Sequence, residues 1–102
     1  MKHRPTICIL DDDRERCLRE EKALDAAIAF KGLGVSGIAN FGANYLARSG
    51  VEVFPAIEVD GVYFTPKSPG ELTYDMLCDF LDMLVRREII PGGGTRRDAG
   101  DS

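Results

Sequence analysis

Few side chains in this sequence are built for covalent chemistry: three cysteines, Cys8, Cys17 and Cys78, and one histidine, His3. A thiol reacts, or binds a soft metal, as its thiolate, which needs exposure and a positive neighbourhood. Cys17 has that neighbourhood in sequence, since it ends Arg14-Glu15-Arg16-Cys17. There is no Cys-x-x-Cys pair, so a mixed disulfide at Cys17 has no nearby thiol to resolve it. The odd count and wide spacing do not describe a secreted disulfide framework. A lone histidine leaves no His-rich metal site, and a site drawing on all three distant cysteines lacks the usual close ligand pairs, so neither metal nor cofactor is expected. The plain alternative is that the cysteines are small hydrophobes in the core.

Non-covalent recognition has more to work with. Arg14 and Arg16 offer planar forks suited to an anionic group such as a carboxylate. Their plain alternative is a solvated helix start, pairing with Asp11, Asp12, Asp13 and Glu20. Phe54, Tyr63 and Phe64 could make a binding face, or could equally be core residues and cross-strand pairs. A net charge of −4 and a pI near 4.9 argue against nucleic acid or anionic membrane as the main partner, because both select clustered Lys and Arg. No apolar run approaches the ~20 residues that cross a bilayer. The basic start Met1-Lys2-His3-Arg4-Pro5 is followed only by the short apolar run Thr6 to Leu10, too little for a signal peptide, so a cytoplasmic location is expected.

These residues need elements to hold them. The strongest local signal is a hairpin, with strands over residues 53–59 and 62–65 joined at Asp60-Gly61. Pro55 cannot donate to a ladder, so it belongs at a strand start or bulge, with Phe54 extended before it. Residues 6–10, apolar and β-branched throughout, read as a central strand covered on both faces. Asp11-Asp12-Asp13 ends that strand, and Asp12 with Glu15 makes a capping-box pattern. A helix follows over about residues 14–31, with Cys17, Leu24, Ala27, Ile28 and Phe30 inward and Arg19, Glu20, Glu21, Lys22 and Asp25 toward water. Gly32 and Gly34 stop it. A short strand is expected over residues 35–38 and a short helix over about 41–48. After the hairpin, Pro66-Lys67-Ser68-Pro69-Gly70 reads as a loop, leading to a helix over about residues 73–87 with Met76, Leu77, Phe80, Leu81 and Leu84 at helical spacing. Residues 1–5 read as a flexible N-terminus, 6–90 as one domain, and 91–102 as a disordered tail with nothing to bury.

The order β-α-β-α-β-β-α implies an α/β fold: a right-handed parallel crossover, then a hairpin lying antiparallel beside the central strand. That is a four-stranded mixed sheet flanked by three helices. Over roughly residues 6–84 the chain resembles the small thioredoxin-like proteins often called redox-active disulfide proteins. The likeness rests on Ile7-Cys8-Ile9-Leu10, on the long helix ending near Gly34-Val35, and above all on Tyr45-Leu46-Ala47-Arg48-Ser49-Gly50-Val51-Glu52-Val53-Phe54-Pro55-Ala56-Ile57-Glu58-Val59-Asp60-Gly61.

The resemblance implies a thioredoxin-like fold in which Pro55 is cis, although an arbitrary X-Pro bond is cis only about 5% of the time. It also implies that Phe54 presents backbone groups to a bound peptide or thiol. The family's Cys-x-x-Cys falls on Arg14-Glu15-Arg16-Cys17, where this chain departs: the first cysteine, the exposed low-pKa nucleophile, is Arg14. The expected function is therefore a non-catalytic thioredoxin-fold binding module. It would receive a protein or peptide in a groove formed by Phe54 and Pro55 with Arg14 and Arg16. The alternative is a monothiol redox or thiol-transfer protein using Cys17, glutathione-linked in one version. Soft-metal handling, as in related arsenical metallochaperones, is a further alternative, but this chain lacks their paired cysteines.

A second resemblance points elsewhere. Ile7-Cys8-Ile9-Leu10-Asp11-Asp12-Asp13 is similar to the first strand and acidic pocket of response-regulator receiver domains, and Phe64-Thr65-Pro66-Lys67-Ser68-Pro69-Gly70 to their terminal Lys-Pro segment. It implies Mg²⁺ on the aspartates and a phospho-acceptor, for which Asp60 is the candidate. Against it, Asp60 sits in a hairpin turn seven residues before Lys67, with no room for the intervening units, so this is a degenerate receiver domain at most. Finally, an unprotected edge at residues 62–65, or at the short second strand, offers a homodimer contact.

Overall fold

The structure is a computed structural model that describes residues 5–66 and 70–92. The expected flexible N-terminus apart from Pro5, the tail beyond Gly92, and Lys67 of the receiver-like segment lie outside the described residues.

Strand β1 (Thr6–Leu10) is buried along almost all of its length, as an apolar β-branched run requires, and it sits inside the sheet. Strand β2 (Ser36–Asn40) runs parallel to it, with Ile7 opposite Gly37 and Ile9 opposite Ala39. On the other side β3 (Ala56–Val59) is antiparallel, with Leu10 opposite Ala56 and Cys8 opposite Glu58. Strand β4 (Val62–Phe64) completes the hairpin and the sheet order β2-β1-β3-β4. The hairpin turn takes positive φ at both central residues, 48° at Asp60 and 88° at Gly61, which matches the twist of the strands it joins. β3 starts at Ala56 rather than at residue 53 because Pro55 has no N–H to give the ladder. Its Phe54–Pro55 peptide is cis.

Helices α1 (Arg14–Lys31), α2 (Ala43–Ser49) and α3 (Tyr74–Arg86) flank this sheet. The cap of α1 is Asp13, not Asp12: its carboxylate accepts the Arg16 N–H at 3.0 Å. The shift has a local cause. Asp11 Oδ1 accepts the Asp13 N–H at 3.1 Å, and this tight turn leaves Asp13 extended at the cap position. Gly32, at φ 64°, closes the helix in the left-handed conformation.

Because successive side chains on a strand alternate in direction, the sheet has two cores. Ile7, Ile9, Ile57 and Val59 pack under α1 and α3, against Leu24, Ala27, Ile28, Leu77, Leu81 and Leu84. Cys8, Leu10 and Ala56 face the other way and meet Leu46 of α2. Burying each such Leu or Ile is worth about 1.5–3 kcal/mol, so the larger core supplies most of the stability. α1 lies very close to β2, since a Cβ at Gly37 would come within 2.9 Å of Leu24 Cδ2.

Two expectations for α1 are corrected. Glu20, expected toward water, is fully buried, whereas Phe30, expected inward, is 74% exposed. The buried stripe runs Cys17, Glu20, Leu24, Ala27, Ile28, and Phe30 lies about 200° around the helix from Ile28. Cys78 is half-buried at the edge of the larger core, while Cys8 and Cys17 are buried. Among the described residues no helix is long and apolar enough to cross a membrane.

Candidate functional site

At one end of the sheet the chain leaves β1 and β2 and enters β3. In α/β sheets the crevice outside the carboxyl ends of the parallel strands is where ligands are usually held, since loops and helix starts converge there. Arg14, Arg16 and Cys17 arrive on the first turn of α1, and Phe41 follows β2. Val53, Phe54 and Pro55 precede β3. Continuing the register past Leu10 and Ala56 sets Pro55 across from Asp11.

The two arginines play different parts. Arg16 grips Asp11 with both arms of its fork, Nε to Oδ2 and Nη2 to Oδ1, each at 2.7 Å. Asp12 Oδ1 lies 3.7 Å from Nη2 and Glu20 Oε2 lies 4.0 Å from Nε. Arg16 is thus occupied internally. The plain expectation for it is met in its partners but not in its setting, because Asp11 and Glu20 are buried rather than solvated. Arg14 is exposed, with its guanidinium 5.7 Å from the centre of the Phe41 ring, a cation–π contact that leaves its fork open to an incoming anion.

The carboxyls behind Arg16 form an unequal pair. Burial opposes ionisation of Asp11, but the Arg16 fork, Glu20 and the Asp13 N–H together hold its carboxyl below the usual range. Glu20 goes the other way: burial, then the hydrogen bond with Asp11, push it up to about 8, against the Leu72 N–H and Arg16. Of the two carboxyls Glu20 is therefore the one that favours its proton and Asp11 the one that favours the charge. Glu20 Oε2 accepts the Leu72 N–H at 2.8 Å, while Oε1 has no hydrogen-bond partner among the described residues. A protonated carboxyl avoids setting a second buried charge beside Asp11.

Cys17 is fully buried, in the core under α1. Burial first, then the negative charges of Asp11, Glu20 and Glu21, push its thiol up to about 12. Such a thiol is almost wholly protonated at neutral pH and is shielded from solvent, the opposite of what a reactive cysteine needs. Cys8 is likewise raised, to about 11, by burial and by Glu58. Glu58 in turn accepts the Tyr45 hydroxyl at 2.9 Å.

Pro55 is buried. Phe54 is half-buried against Cys8, Leu10, Leu46 and Ala56, and Val53 beside it is 61% exposed. Chemically this end of the molecule can present an arginine fork, apolar side chains and backbone. Receiver chemistry fits it poorly. Both oxygens of Asp11 are taken by Arg16, and Asp60 lies in a turn between strands of a mixed sheet. Among the described residues no group of three or more His, Cys, Asp or Glu side chains is placed to hold a metal ion.

The residue that periodicity missed is Glu20. A signal for it existed: Cys17, Leu24 and Ala27 at helical spacing leave an inward position near residue 20, and both candidates there are glutamates. Comparison of the chain with family models, curated proteins and solved structures returned no match.

Proposed function

We propose that the chain is a non-catalytic thioredoxin-fold binding module, which receives a protein or peptide partner at the sheet end formed by Val53, Phe54, Pro55 and Arg14. The observation that carries the reading is the state of Cys17. At the position where a thioredoxin-type nucleophile would be followed by its resolving thiol, this chain has an exposed arginine and then a fully buried cysteine pushed up to about 12. The α/β layout, with a four-stranded mixed sheet and three helices, is compatible with the thioredoxin fold, and the β1–β3 register carried one step further sets Pro55 across from Asp11, which precedes α1 in the chain. Arg16 drops out of the binding set because Asp11 consumes its fork, leaving Arg14 as the cation that meets an acidic group of the partner. Burial of Cys17 counts against thiol transfer through that residue.

The test has two arms. Insulin reduction by dithiothreitol should not be accelerated by the protein, and a catalytic rate that disappears in Cys17→Ser overturns the reading. Peptides selected from a random displayed library should bind the wild-type chain and lose about tenfold or more in affinity, near 1.4 kcal/mol, in Val53→Asp and in Arg14→Glu. Selected peptides that ignore both substitutions remove this end of the sheet as the binding surface.

A further inference from the structure

Helix α3 carries two apolar stripes. Leu77, Leu81 and Leu84 are fully buried against α1 and the sheet. Met76, Phe80 and Met83 repeat the same i, i+4, i+7 spacing one residue earlier, turned about 100° from the first stripe. The second stripe is only partly covered: Met76 is 36% exposed. Its three side chains line a groove of about 610 Å³ whose facing wall includes Ile57 and Phe64, with Phe80 set edge-on to Phe64 at 5.2 Å between ring centres. This volume falls within the range of roughly 300–1,000 Å³ that holds ligands in other proteins.

The groove has a charge as well as a shape. Asp79 lies among its lining residues. Among the described residues Asp79 makes no ion pair, whereas Asp82 of the same helix is held by Lys31 at 2.8 Å. An apolar trough walled by flexible methionines and carrying an acid, Asp79, among its lining residues is the complement of an amphipathic segment with a basic flank.

We propose that this groove docks an amphipathic helix of a partner protein, with its apolar residues against Met76, Phe80 and Met83 and a lysine or arginine toward Asp79. The stripe spans about 10 Å along α3, close to two turns of a partner helix, which favours a helix over a compact small molecule. The site is distinct from the sheet end around Pro55. Phe54 packs in the core under α2, on the opposite face of the sheet, so the failure of either reading leaves the other standing.

A short fluorescent peptide of leucine and lysine in amphipathic helical order, titrated with the full chain and followed by anisotropy, tests this. Saturable binding that weakens at high salt is expected. Met76→Glu and Asp79→Lys should each weaken it about tenfold or more, while Asp25→Lys, at the far edge of the sheet, leaves it unchanged. Circular dichroism confirms that the variants fold, and both substituted side chains on α3 are exposed enough to permit it. The proposal is overturned by absent or non-saturable binding, or by an equal loss in Asp25→Lys, which marks general attraction to an acidic chain. Equal affinity for a leucine–glutamate peptide also overturns it. So does an apolar dye bound in a Met76-dependent way by a protein that ignores the peptide, which marks a small-molecule pocket.

Discussion

The carboxyl of Glu20 and the backbone N–H of Leu72, 52 residues apart in the chain, are joined by a buried hydrogen bond of 2.8 Å. It clamps the loop entering α3 to the helix that carries Arg16 and Cys17. Leu72 also lines the groove beside α3, so one protonated carboxyl links the first helix to the wall of a second surface.

Glu20 makes stability pH-dependent. Its carboxyl titrates near 8 in the fold and near 4.5 when exposed, so its contribution is fully present below 4.5 and is lost as pH rises through 8. Asp11, held below its ordinary 3.8, gives the opposite limb: its contribution is present above that value and lost as pH falls below it. Urea midpoints should therefore peak near pH 4–5, decline up to about pH 8 and level off beyond it. Glu20→Gln keeps an acceptor for Leu72 and cannot ionise, so it should flatten the alkaline limb. An unchanged decline in that variant would place its cause elsewhere.

Removing Arg16 strands a buried charge. Arg16→Met should cost about 3 kcal/mol, because Asp11 is fully buried and loses both arms of its partner. Arg16→Lys should recover only part of this, lacking the fork geometry. Arg14→Met should stay within about 0.5 kcal/mol, as expected of an exposed side chain. Chemical denaturation of the three variants separates them, and equal costs at the two arginines would refute the division of roles.

Alkylation should rank the cysteines by burial. Cys78, half-buried, should react with iodoacetamide first, and Cys8 and Cys17 only on the timescale of unfolding. Mass spectrometry of a time course at neutral pH reads the order directly, and early labelling of Cys17 would contradict its buried position.

Gly37 has no room for a branched side chain. A Cβ at this position would meet Leu24 Cδ2 and Asp25 Oδ1 at 2.9 Å and Ile28 Cδ1 at 3.1 Å. Asp25 is exposed and can swing aside, but Leu24 is fully buried and cannot. Gly37→Val should lower stability by about 2 kcal/mol or more through overpacking, despite the strand preference of valine, and Gly37→Ala by less. Thermal denaturation showing Gly37→Val at wild-type stability would mean that α1 lifts off β2 freely.

The elements of this fold are written locally in the chain. Asp60-Gly61 between two β-branched runs, the continuous apolar run of β1 and the leucine spacing of α3 are short-range signals, and the α/β class with four strands and three helices is legible from them. The same reading singled out Arg14, Arg16, Cys17, Phe54 and Pro55, but it could not say what each faces. Only the packed molecule shows that Arg16 is spent on Asp11 while Arg14 is open, that Glu20 is inside, and that Phe30 is outside. The physical reason is that burial of a polar group depends on its partner. Glu20 is tolerated in the core because a backbone N–H from residue 72 and the charge on Asp11 meet it there, and neither neighbour can be read from the periodicity of the helix on which it sits.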